Sequence, residues 1–198
     1  MNATIPTACF VTGLLCAALI PDPPQDGTKE IKEMMDKARR WTQPGDNHKS
    51  LERFVGKWTT ETRFYMGAEP TPPEKGTAEF RWRVAGRWLD LDWSGSMMGM
   101  NGGGVMLLGY DNFKMSYVST WISSFDTAMT HGEGDMTPDG KSLVMYGTLD
   151  EYLTGEHDKM VKYAWRFVSA EEMRLEVHDL PIGEVNAKVV EITYKRTR

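Results

Sequence analysis

His131 and Glu133 are two residues apart in a segment with the alternating pattern of a β-strand, so their side chains are predicted to share one face. An imidazole beside a carboxylate can act as a general base with its orienting partner, or the two groups can bind a metal ion. Glu176 and His178 repeat this spacing. Because no third catalytic group accompanies either pair, a surface pair is preferred and no metal site is predicted. An enzyme using His131 and Glu133 is kept as the alternative function.

Four methionines around a run of glycines suggest a second kind of chemistry. Met97, Met98, Met100 and Met106 flank Asn101-Gly102-Gly103-Gly104. Clustered thioethers can bind copper(I), but methionine is also an adaptable core residue, and the glycines suit a flexible loop at a pocket entrance. The run does not match a phosphate-binding loop, because no Lys-Ser or Lys-Thr pair follows it. Core packing is preferred, and copper binding is the alternative.

Aromatic residues recur at every second position of several segments, which places them on one face of each predicted strand. On the sixth strand the same alternation assigns His131 and Glu133 to the inside and the glycine between them to the outside. An aromatic cavity with a few polar groups is typical of a small-molecule pocket. The alternative is that the rings fill the core, as in an interaction or structural module. The residues predicted to contact a ligand are Phe64, Trp82, Tyr117, Trp121, His131, Glu133, Tyr163 and Trp165.

The period of two that positions these side chains begins at Gly56 and continues to Lys195. Short strands separated by turn residues, with no helix between them, indicate an antiparallel sandwich or barrel. Consecutive hairpins favour a single up-and-down barrel, and more than about eight strands leave room for a ligand cavity. The predicted strands are Lys57–Met66, Thr77–Val84, Trp88–Ser94, Val105–Tyr110, Met115–Ser123, Met129–Asp135, Ser142–Asp150, Met160–Val168, Met173–Asp179 and Lys188–Lys195.

Residues 1–20 have features of a secretory signal. Ala8–Ile20 is an apolar run that is short for a membrane span, although no Lys or Arg precedes it. Both cysteines of the chain, Cys9 and Cys16, lie in this segment, so its removal would leave no thiol. The protein is therefore predicted to be secreted or periplasmic, without stable membrane insertion after processing. An uncleaved membrane tether is the alternative.

An amphipathic helix is predicted between this segment and the barrel. Apolar residues of Thr28–Trp41 recur at helical spacing, and Gln43-Pro44-Gly45 ends the pattern. We expect residues 21–50 to form a linker and this helix, which packs on a barrel domain of residues 51–198.

The composition excludes some classes of function. The 198 residues include 23 Lys and Arg against 28 Asp and Glu, for a net charge of −5. This balance does not suit nucleic-acid binding, which needs a basic surface. With 40% hydrophobic residues the chain is too apolar to be disordered. Nucleic acid is therefore not an expected partner. The aromatic cavity predicted above makes a small, apolar or aromatic molecule the expected one, and no cofactor is predicted.

Gly56-Lys57-Trp58 at the start of the first strand, with Arg196 near the end of the last, resembles the barrel-closing signature of calycins. Further segments extend the likeness over about Ile31 to Arg196 and resemble the bacterial family called domain of unknown function 1579. The resemblance implies a lipocalin-like β-barrel, with structural roles for Gly56, Trp58 and Arg196, and no established activity. The segments are Pro44-Gly45, His48-Lys49-Ser50-Leu51, Val55-Gly56-Lys57-Trp58, Gly86-Arg87-Trp88-Leu89, Leu108-Gly109-Tyr110-Asp111, Tyr117–Ile122 and Glu191-Ile192-Thr193-Tyr194.

Overall fold

The computed structural model describes residues 27–151, 154–181 and 185–197. The predicted signal segment, with Cys9 and Cys16, lies outside the described residues. Within these ranges, no helix is long and apolar enough to cross a membrane.

Helix α1 spans Gly27–Thr42, one residue more at each end than the sequence predicts. Glu30 lies in its first turn, and Arg39 and Arg40 lie in its last turn, where each charge complements the helix dipole. Among the described residues, 27–40 belong to one compact unit, and those from Trp41 onward form a second. Packing of α1 on the barrel stays a prediction.

The described part of the chain from Gly56 onward forms ten antiparallel strands that close into one barrel, as predicted. Each strand pairs with the next along the chain, and the first pairs with the last, so no strand of the barrel has an unpaired edge. The strands are β1 Gly56–Phe64, β2 Glu74–Val84, β3 Trp88–Met97, β4 Met100–Asp111, β5 Ser116–Ser123, β6 Thr130–Met136, β7 Ser142–Glu151, β8 Glu156–Phe167, β9 Glu172–Asp179 and β10 Ala187–Arg196.

The glycine run predicted as a loop is part of strand β4, so that prediction is wrong. The turn between β3 and β4 lies earlier, at Met98 and Gly99, whose φ angles of 53° and 75° suit a tight hairpin. Gly104 remains in the strand because the Trp121 ring lies directly over it and leaves no room for a side chain. The absence of a side chain at Gly104 therefore leaves room for a bulky ring to pack against the barrel wall.

One end of the barrel is closed by a short segment that the sequence analysis did not assign. Helix α2, Asp46–Ser50, leads into a 3-10 turn, Leu51–Arg53. Leu51 and Phe54 are fully buried in the barrel core. The Phe54 ring lies 5.1–5.3 Å, between centroids, from the rings of Phe80, Trp165 and Phe167. We call residues 46–54 the plug.

The first and last strands meet beside the plug through Gly56, Trp58 and Arg196. Trp58 pairs with Arg196, whose guanidinium carbon lies 4.1 Å from the centre of the indole ring. The guanidinium also donates to the carbonyl oxygens of Val55, at 2.6 Å, and Arg53, at 3.2 Å. Gly56 has φ +134°, and a Cβ there would collide with Arg196. The closure therefore needs a glycine at position 56 and a long cation at position 196.

Candidate functional site

A cavity of about 240 Å³ lies inside the barrel, between the plug and the opposite end. This is the volume of roughly eight water molecules, whereas a packed interior leaves few voids larger than one. The barrel is therefore not filled by its own side chains. The lining residues are Phe64, Leu91, Trp93, Met97, Met106, Ser119, Trp121, Thr130, His131, Met145, Leu149, Tyr163, Trp165, Leu175, Val177, Val190, Ile192 and Tyr194.

The deep part of the cavity is built from rings held by the plug. Trp165 lies edge-on to Phe54, and its ring centroid is 5.4 Å from that of Tyr194. Phe80 contacts both of these rings, at 5.9 and 6.2 Å. Because Phe54 is fully buried behind them, the plug fixes the floor of the cavity.

The lining is apolar apart from a few polar groups. Among the described lining residues there is no Asp, Glu, Lys or Arg. Burial raises the pKa of Tyr163 and of Tyr194 well above the ordinary value for tyrosine, so both phenols keep their protons. The cavity can therefore hold an apolar body and offer it neutral hydrogen-bonding groups.

Of the eight residues predicted to contact a ligand, four line the cavity with side chains on the inner face of the barrel. Phe64, Trp121, Tyr163 and Trp165 come from β1, β5 and β8, and all line the cavity. The alternation of each strand assigned these four to the correct face.

Trp82 and Tyr117 lie outside the cavity lining, at the plug. The Trp82 indole N–H donates to Glu52 at 2.9 Å. The Tyr117 hydroxyl lies 2.7 Å from the Ser50 hydroxyl and donates to the Asn47 carbonyl at 3.1 Å. The two residues hold the plug because β2 ends and β5 begins at that end of the barrel.

The prediction that His131 and Glu133 point inward is wrong. A Cβ on Gly132 would lie 2.9 Å from the Ser119 hydroxyl inside the barrel, so the glycine occupies the inner face. Strand alternation then places both flanking side chains outside, where both are exposed. His131 contributes to the cavity lining and also to a groove on the outer face, to which Glu133 belongs.

The two outer side chains are engaged with different partners. The His131 ring nitrogen Nδ1 lies 3.1 Å from the Thr120 hydroxyl, and Glu133 forms an ion pair with Lys114. Among the described residues, no hydrogen bond or ion pair joins His131 to Glu133, and no group of three His, Cys, Asp or Glu could hold a metal ion. This pair therefore lacks the contact that a base and its orienting carboxylate require.

The four methionines do not share one environment. Met97 and Met106 line the cavity, whereas Met98 and Met100 are exposed near the β3–β4 turn. Copper binding stays an untested alternative.

Sequence reasoning missed the lining residues of β3, β4, β7, β9 and β10, and Thr130 of β6. Trp93, for example, follows Leu89 and Leu91 at period two, and Tyr194 follows Ile192 in the same way. The alternation of apolar residues with charged ones could have identified both. The missed residues are Leu91, Trp93, Met97, Met106, Thr130, Met145, Leu149, Leu175, Val177, Val190, Ile192 and Tyr194.

Comparisons with known proteins agree with this barrel. Over 79% of the chain, it aligns with the whole of Rv2717c from M. tuberculosis, at 12% identity and a TM-score of 0.54. Over 76% of the chain, it aligns with 92% of the S-type phycobiliprotein lyase CPES from Guillardia theta, at 14% identity and a TM-score of 0.51. At these identities the likeness concerns the fold alone. No curated protein matches the sequence significantly. The family model described as "Protein of unknown function (DUF1579)" matches residues 43–196.

Proposed function

The chain belongs to the family of proteins of unknown function DUF1579, and from the unfilled cavity of its barrel we propose that it binds a small, largely apolar ligand non-covalently. One observation carries this proposal, namely a space of about 240 Å³ inside the barrel with aromatic and aliphatic walls. An apolar cavity of roughly 150 Å³ is already large enough to stay dry and take up benzene. Transfer of an apolar molecule from water into such a space is favourable.

The outer position of His131 and Glu133 favours binding over catalysis by this pair. A general base must lie within hydrogen-bond reach of the proton that it abstracts. In the described structure the two side chains are exposed and have separate partners. The cavity itself supplies no charged residue among its described lining that could replace them.

Filling the cavity with the protein's own atoms is expected to abolish ligand uptake. Val177 lines the cavity, so Val177→Trp places an indole in the space that a ligand would occupy. We expect the affinity for naphthalene, measured by isothermal titration calorimetry, to fall by at least about tenfold, the scale of losing an aromatic contact area.

The matched control is Val105→Trp, the same substitution at an exposed position of β4 outside the cavity lining. It should leave naphthalene binding unchanged, and near-ultraviolet circular dichroism should show that both variants are folded. If the wild-type protein does not bind naphthalene, or if folded Val177→Trp binds it as well as wild type, the proposed function is wrong.

We also propose that the protein is exported, on the evidence of the apolar segment Ala8–Ile20 alone. Protein recovered from its own host should then begin near Leu19 and contain no titratable thiol, because Cys9 and Cys16 are removed. N-terminal sequencing and a thiol assay test this. An intact start at Met1 in a membrane fraction would favour the tether instead.

A further inference from the structure

Most buried side-chain polar groups of the described barrel have hydrogen-bond partners, and the Thr62 hydroxyl and the Asp90 oxygen Oδ1 are without one. The Trp58 indole N–H donates to the Phe54 carbonyl at 2.9 Å, and the Tyr117 hydroxyl lies 2.7 Å from the Ser50 hydroxyl. The Trp93 indole lines the cavity wall but donates to the Thr60 hydroxyl at 3.2 Å. This is the ordinary behaviour of buried polar groups.

The tyrosines of the cavity differ from this pattern. Neither the Tyr163 hydroxyl nor the Tyr194 hydroxyl has a hydrogen-bond partner within the described residues, and the same holds for the Trp165 indole N–H. Tyr194 is only 1% exposed and Trp165 only 2% exposed, so the cavity is where their polar atoms can meet a partner. Because all three residues line one cavity, a molecule bound there is in position to accept hydrogen bonds from them.

The chemistry of these groups defines the partner that they require. An indole N–H can only donate, and a phenol that keeps its proton can donate as well as accept. Hydrogen-bond donors therefore outnumber acceptors among these three side chains. A ligand that pairs with all of them has to supply acceptor atoms. A carboxylate does not suit the site, because no cation among the described lining residues compensates the loss of its hydration.

The depth of the two tyrosines adds a geometric condition. Tyr194 lies at the floor beside Trp165, whereas Tyr163 precedes Trp165 by two positions on β8. Two residues of a strand advance about 6.6 Å, so Tyr163 lies further from the plug than Trp165. Leu175, Val177 and Ile192 separate these polar groups with an apolar wall. The hydroxyls of Tyr194 at the floor and Tyr163 along one wall can thus donate to acceptor atoms of a ligand. The rest of the ligand surface contacts carbon and sulfur atoms of the lining.

We propose that the cavity selects uncharged ligands with an apolar body and a carbonyl-type acceptor oxygen, which accepts hydrogen bonds from the hydroxyls of Tyr163 and Tyr194. This proposal rests on the proposed binding function and adds the chemical class of the ligand.

Three probes of nearly the same shape distinguish the affinity that comes from apolar contact with the cavity from the affinity that comes from hydrogen bonds to its donors. 2-Isopropenylnaphthalene measures apolar binding alone, 2-acetylnaphthalene replaces its terminal methylene by a carbonyl oxygen, and 2-naphthoate adds a negative charge. Calorimetric titration of the full chain at pH 7 should give a dissociation constant about tenfold lower for the ketone than for the alkene, as expected for hydrogen bonds to otherwise unpaired donors. 2-Naphthoate should bind at least about tenfold more weakly than the ketone.

The tyrosine variants test which groups produce the preference. In the double variant Tyr163→Phe/Tyr194→Phe, the ketone should bind no more than about twofold better than the alkene, because both phenol donors are removed and the shape is kept. Affinity for the alkene should remain near the wild-type value. Tyr146→Phe removes a phenol that is 49% exposed and lies outside the cavity lining, so it should retain the full preference.

The outcomes separate the two proposals. If the alkene binds but the ketone shows no advantage, the ligand class is wrong while the binding function stands. If the advantage survives in the double phenylalanine variant, the hydroxyls of Tyr163 and Tyr194 do not produce it, and the proposed recognition by these two groups is wrong. If 2-naphthoate binds most tightly, the assignment to uncharged ligands is also wrong. If neither neutral probe binds the folded wild-type protein, the binding function itself fails and the ligand class fails with it.

Discussion

Replacing Trp58 by alanine is expected to lower the free energy of unfolding by about 3–5 kcal/mol, the usual cost of removing a large buried ring. The indole is 2% exposed, donates to the Phe54 carbonyl and lies under the Arg196 guanidinium. The substitution therefore removes packing, a buried hydrogen bond and a cation–π contact at the seam between β1 and β10. Chemical denaturation followed by circular dichroism measures the loss.

Trp82→Ala is the matched control for this prediction. Its indole is only partly buried and donates to the Glu52 side chain at an exposed position. The loss of stability should be clearly smaller than at Trp58. If Trp58→Ala costs less than about 1 kcal/mol, the ring does not contribute as a buried core residue and the account of the seam is wrong.

Phe54→Ala is expected to have a comparable effect, about 3–5 kcal/mol, for a different reason. Phe54 is fully buried and contacts the rings of Phe80, Trp165 and Phe167, so its removal leaves a void behind the cavity floor. Thermal unfolding should show the lower stability. We also expect weaker naphthalene binding, because Trp165 loses the ring that holds it in place.

Phe113→Ala provides the comparison at the surface. Phe113 is 71% exposed and stacks on Trp41 at a centroid distance of 4.8 Å. Its loss should cost no more than about 1.5 kcal/mol, the scale of a single aromatic pair. Equal losses at positions 54 and 113 would show that the plug does not support the barrel.

The order and number of the strands could be predicted because each repeats a period of two and ends in turn residues. The glycines of β4 were misassigned for a physical reason. Glycine is common in turns, but Gly104 is required inside a strand because a tryptophan ring covers it. That ring comes from β5, so the need for glycine depends on a partner that the local sequence does not reveal.

The face of a residue could be predicted more readily than its depth in the barrel. Alternation placed Tyr117 and Tyr163 on inner faces, but only Tyr163 lines the cavity. Depth depends on how neighbouring strands are staggered, for example on the pairing of Tyr163 with Val177 and Met145. This stagger is set by the closure of the whole barrel.

The error at β6 has a related cause. Alternation shows which residues share a face but not which face is inside, and His131 was assigned inward with Gly132 outward. In the barrel, a Cβ at position 132 would lie 2.9 Å from the Ser119 hydroxyl and 3.7 Å from atoms of Tyr163 and Met145, which places this position on the inner side. Asp135, which shares the face of His131 and is exposed, was the signal in the sequence that this face is in water.

The seam between β1 and β10 also has a consequence for the order of folding during synthesis. Arg196 and the Val55 carbonyl that it binds are 141 residues apart in the chain. The ribosome therefore releases the first strand long before its permanent neighbour exists, and β1 has only β2 as a partner during most of translation. Contacts of such long sequence separation slow folding and leave strand edges open to association with other chains. Chaperone demand in the cell should thus persist until the last strand has emerged.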